Sequence, residues 1–99
     1  MFRATTPTHT FDLGTDCSAL EKIVVTYQQN GETVLEKEKD DLTLNGNIAS
    51  VTLTQEEANK FLAYSKVFIQ VRIKTIDGSV IASEIMEMKV ADVLNAEVI

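Results

Sequence analysis

In the stretch KVFIQVRIKT, Val67, Ile69, Val71 and Ile73 occupy one parity, while Lys66, Gln70, Arg72 and Lys74 share the other with Phe68. Alternation with a period of two predicts a strand with one buried face, and the β-branched residues on that face favour strand over helix. EKIVVTYQQ repeats the pattern, with Ile23, Val25 and Tyr27 on one side and Lys22, Thr26 and Gln28 on the other. Near the start, His9, Phe11 and Leu13 share a face opposite Thr8, Thr10 and Asp12, and Pro7 fits the head of a strand or a sheet edge.

Glycines after Asn or Asp punctuate these runs at Gly31, Gly46 and Gly78, where hairpin turns ask for positive φ. At the first turn, a two-residue loop would set Glu36 opposite Val25. A three-residue loop, Gln29 to Gly31, sets Leu35 there instead and is the expected form, because register follows the buried face. At the second, a two-residue Asn45-Gly46 turn pairs Leu42 with Ala49 and keeps Leu44, Val51 and Leu53 on one face. The third hairpin turns at Asp77-Gly78. Its return strand changes parity between Ile81 and the set Met86, Met88 and Val90, which predicts a β-bulge near Ser83 or Glu84.

One segment, TQEEANKFL, reads as a short helix over about 55–62. Thr54 is the N-cap and Glu57 completes a capping box, while Ala58, Phe61 and Leu62 share a face. Many short strands separated by regular turns predict an all-β, two-sheet immunoglobulin-like sandwich of about seven strands, one domain over residues 1–99. The helix carries the chain across from one sheet to the other.

Composition narrows the function. A net charge of −6, from nine basic and fifteen acidic residues, argues against nucleic acid and anionic membranes as partners. The single cysteine, Cys17, excludes an intrachain disulfide. No signal peptide follows Arg3 and no run approaches the ~20 apolar residues of a membrane span, so the expectation is a soluble chain made in the cytoplasm.

Candidate chemistry is sparse. His9 has no second imidazole or clustered cysteine to complete a metal site, and Asp12 falls on the opposite face, so it reads as a residue at the rim of the core. Cys17 has no base or positive field beside it and reads as a small, partly buried loop residue. The acidic run Glu36–Asp41 lacks calcium-loop spacing and reads as a solvated strand end. No cofactor and no enzymatic activity are expected. One interaction signal stands out: Phe68 faces outward among polar neighbours, and Val34 and Ile85 fall on outward parities, so the three would form an apolar patch. The alternative is that the C-terminal tail, through Val93, Leu94 and Val98, covers Phe68.

Four stretches, TTPTHTF, DDLTL…TLTQEEA, IQVRIKTIDGSVIASEI and VLNAEVI, resemble small proteins of about this length encoded among virion genes in prophages of Gram-positive gut bacteria. The chain also resembles the immunoglobulin-like N-terminal domain of some phage baseplate proteins. The resemblance implies a virion structural protein, tail or baseplate associated, that associates with itself or with other virion proteins and resides in the assembled particle. It assigns no functional residues. An acidic inhibitor or regulator of a host protein, or a carbohydrate-binding module, are the alternative expectations.

Overall fold

The computed structural model describes residues 1–83 and 85–99. The alternating segments form the central pair of a sheet: β2 (Leu20–Gln29) and β6 (Lys66–Thr75) run antiparallel, with Val25 opposite Val71 and Tyr27 opposite Ile69. β3 (Glu32–Glu38) flanks β2 on one side. On the far side of β6 lie β7 (Val80–Ala82) and β8 (Met86–Lys89), two pieces of one interrupted edge. The other sheet, the first in chain order, has the order β1 (Thr8–Asp12), β5 (Ile48–Thr52), β4 (Thr43–Asn45), and the sheet of β2 and β6 is the second.

Each passage between the sheets is made by a helical turn. A 3-10 turn at Cys17–Ala19 joins β1 to β2, and another at Lys39–Asp41 joins β3 to β4. The helix α1 (Gln55–Ala58) joins β5 to β6. Lettered as in an immunoglobulin domain, the strands occupy places B, C, C′, D, E, F and G, with β7 and β8 sharing G. The fold is therefore an immunoglobulin-like β-sandwich. Its core needs no disulfide: Phe11 and Val51 from one sheet meet Val25, Tyr27, Ile69 and Val71 from the other, all buried.

The hairpins differ from their sequence expectations in register. β2 and β3 are joined by the two residues Asn30 and Gly31, both at positive φ, and Gln29 belongs to the strand. That pairing is type I′-like, the twist a tight hairpin prefers. A β-bulge then sets Tyr27 opposite Leu35 and Gln28 opposite Thr33. Lys37, not Leu35, faces Val25. The charge is accommodated because the long lysine stem lies along the sandwich while its ammonium reaches the Glu57 carboxylate at 2.5 Å.

The second turn is Gly46-Asn47, so Ala49 pairs with Leu44 and not with Leu42. Gly46 takes the first turn position at φ 59, a conformation that glycine adopts without strain. The third loop comprises Ile76, Asp77 and Gly78, closed by Thr75 N–H donating to the Ser79 carbonyl at 2.9 Å. Beyond it the edge gains one residue between Ala82 and Met86, since Ile73 faces Ile81 but Ile69 faces Met86. The bulge expectation falls in that interval; Glu84 itself lies outside the described residues.

The helix is shorter than the apolar spacing suggested. The capping box forms as expected, with Glu57 N–H donating to Thr54 Oγ1 at 3.1 Å and Thr54 N–H donating to Glu57 Oε1 at 3.0 Å. The α-helix ends at Ala58 and tightens into turns through Phe61, and Leu62 turns out to solvent while Phe61 stays buried. Leu62 is held in that pose by Gln29, whose side chain bonds both its N–H and its carbonyl, at 2.7 and 3.0 Å.

Candidate functional site

The one histidine is spoken for. His9 Nδ1 and the Tyr27 hydroxyl share a hydrogen bond of 2.7 Å, linking the first sheet to the second. The Tyr27 ring is fully buried and packs edge-on against Phe61 at 5.8 Å. Burial keeps the Tyr27 hydroxyl protonated far above its ordinary range, and the Glu57 charge acts in the same direction. Burial also lowers the pKa of His9, with the positive amino terminus adding to the effect. Glu57 is pushed up by its own burial, but hydrogen bonds from Lys37 and Thr54 outweigh this and hold it below the usual carboxylate range. The result is a polar seam at the rim of the core that joins the two sheets, with its phenol closed to solvent.

The seam gives stability a pH dependence of definite sign. The folded-state pKa of His9 lies below its unfolded value of 6.5, so the unfolded chain binds the proton more readily. This contribution is fully present above pH 6.5 and is lost as pH falls through the lower folded value. Urea midpoints should therefore decline from neutral pH downward, and His9→Gln should flatten that decline. A midpoint in the native chain that holds or rises as pH drops would contradict the assignment.

Cys17 is buried in its 3-10 turn, with Sγ 3.8 Å from the Ile48 carbonyl oxygen, and is closed off more completely than a loop residue would be. The acidic stretch at the end of β3 is internally organised. Glu38 N–H donates to Asp41 Oδ2, and Lys39 reaches across to the Leu20 carbonyl at 2.8 Å. Among the described residues, no group of three or more His, Cys, Asp or Glu side chains is placed to hold a metal ion. No helix among them is long and apolar enough to cross a membrane.

The apolar candidates divide. Phe68 and Ile85 line one shallow hollow on the outer face of the second sheet, together with Gln28 and Arg72. Val34 is not part of that patch: it sits in the β3 bulge and packs against the core cluster. The tail hydrogen-bonds at the α1 corner, where Asn59 Nδ2 donates to the Ala96 carbonyl and Gln55 bonds the backbone of Ile99. It is tied there instead of lying over Phe68, and Leu94 and Val98 remain exposed.

A larger apolar feature was not apparent from parity alone. Between β1 and the β7/β8 edge the sandwich is open, leaving a groove of about 400 Å³ lined by Phe11, Leu13, Val71, Ile73, Ile81 and Met86. Ile76, Val80, Ile81 and Ile85, all more than half exposed, follow the same edge. Their sequence signal was the change of parity after Ile81: a strand piece too short to bury either face leaves both exposed.

No family model and no curated protein matches the sequence. Among solved structures, the V domain of amphioxus IgVJ-C2 is similar at 12% identity and a TM-score of 0.38, over 92% of this chain and 95% of that chain.

Proposed function

We propose that the chain is a non-enzymatic bacteriophage structural module, tail or baseplate associated, that works through protein–protein contacts. The observation that carries the contact reading is the run of exposed apolar side chains along one sandwich edge, from Ile76 through Val80 and Ile81 to Ile85 and Met86. Isolated exposed apolar residues are ordinary, but a contiguous set beside an apolar groove is a surface suited to a partner. The phage assignment rests on the sequence resemblance described above. A particle component of this kind acts through surface alone and needs no catalytic group.

Mass spectrometry of particles purified after prophage induction tests the proposal. The chain is expected in the particle, at a copy number comparable to minor tail proteins. Finding it only in the soluble lysate, with particles otherwise complete, would refute the virion role and favour a regulator of a host protein.

A further inference from the structure

A sheet edge with free backbone groups invites another strand, and soluble proteins protect such edges with charge, brevity, bulges or cover. Three of the four edges here carry such protection. β4 is only three residues long. β3 presents Glu32, Glu36 and Glu38 to solvent. The β7/β8 edge is interrupted, and Met1 and Arg3 bond the backbone of Lys89 and Ala91. β1 has none of these devices: its five residues, THTFD, are continuous and carry one acidic side chain, Asp12.

The direction of its free groups follows from two hydrogen bonds. Leu13 N–H donates to the Asn47 carbonyl and Leu53 N–H to the Pro7 carbonyl, at 2.8 and 2.9 Å. In an antiparallel ladder the bonded residues alternate, so Pro7, His9, Phe11 and Leu13 turn their backbones to β5. The N–H and C=O groups of Thr8, Thr10 and Asp12 point away from it, into the open edge.

We infer that the β1 edge pairs with the β1 edge of a second copy across a two-fold axis at Thr10, joining the first sheets of both copies into one. Thr10 then faces Thr10 of the second copy, and Thr8 faces its Asp12, each as a hydrogen-bonded antiparallel pair. The register is self-complementary, as a two-fold contact requires. Charge selects this edge: Asp12 meets a threonine, whereas β3 paired with itself would bring together strands carrying Glu32, Glu36 and Glu38. On the inner face, His9 stands beside Phe11 of the second copy, next to the groove. A ribbon of five-residue strands is small against the ~1,200 Å² of a stable interface. Ile81 and Met86, exposed by 54% and 37%, line the groove beside β1 and add apolar area. Each copy carries a charge of −6, so association strengthens with added salt. The inference stands apart from the virion reading, because its test uses the purified chain alone.

Sedimentation or light scattering from about 1 μM to about 1 mM should show mass doubling with concentration. Thr10→Lys sets two like charges face to face on the axis and should abolish the doubling while leaving the circular dichroism spectrum unchanged. Thr10→Cys should form a disulfide-linked dimer, since ~5.5 Å between Cα atoms of a hydrogen-bonded pair lies within disulfide reach. Thr33→Cys, on β3, should remain uncrosslinked. A native chain monomeric at every concentration, a dimer that survives Thr10→Lys, or crosslinking of Thr33→Cys equal to that of Thr10→Cys would each overturn the inference. Should the lysine variant fail to fold, the two cysteine variants decide it.

Discussion

Phe61→Ala is expected to lower the unfolding free energy by about 3–5 kcal/mol, the usual cost of emptying a buried phenylalanine site. Phe61 is 1% exposed and stands at the corner where β5 crosses to β6. Its ring meets the edge of Tyr27, which in turn bonds His9, so removal of the ring leaves a void beside the only tyrosine in the core. Relaxation is restricted, because the capping box before it and the Gln29 bonds after it fix the corner at both ends. A domain of this size typically holds ~5–15 kcal/mol in total, so the variant should be near the limit of folding. Thermal midpoints measured by circular dichroism check this. A fall of only a few degrees would mean that the corner collapses freely into the void.

Gln29→Leu makes the chain more hydrophobic at a buried position, yet it is expected to destabilise by about 2–3 kcal/mol. Gln29 is 3% exposed and, among the described residues, is the one buried residue of the polar or charged kind. Its amide satisfies the Leu62 N–H and carbonyl together. Leucine fills a similar volume and leaves both backbone groups without partners, and that desolvation cost exceeds the gain from added apolar surface. Gln29→Glu keeps the acceptor but sets a buried carboxylate oxygen against the Leu62 carbonyl, so at neutral pH it should destabilise at least as much as leucine and recover as the carboxyl protonates at lower pH. Urea midpoints for the three proteins give the order, and a leucine variant as stable as the native chain would show that water replaces the amide.

The strands of the second sheet could be read directly because β2 and β6 alternate cleanly, and the strands that alternate are the ones buried on one face. The capping box was readable for a similar reason: Thr54 and Glu57 are local in sequence. Registers were less accessible. A two-residue loop at Asn30-Gly31 looked wrong because it forced a charge onto the core face. The chain keeps that tight loop, absorbs the mismatch in a bulge, and seats Lys37 against Glu57. Glu57 is on a distant segment, so no periodicity within β3 could reveal the partner. The interaction candidates show the same division. Phe68 and Ile85 do share a hollow, but the bulge that shifts the register also turns Val34 toward the core. The open groove depends on which edges the topology leaves bare, and that follows from sheet order, which parity does not encode.

The bonds between the first residues and the end of β8 have a mechanical consequence. Phe2 and Ala91 bridge in parallel, so the chain enters at one end of this contact and leaves from the other. Tension applied through residue 1 and through the residues after 91 pulls the two segments lengthwise past each other. The Met1–Lys89, Met1–Ala91 and Arg3–Ala91 bonds then bear load together, reinforced by the Arg3–Asp92 ion pair, and do not open one after another like a zip. The clasp is a shear joint set across the line of force, and it shields the sandwich behind it from the first pull.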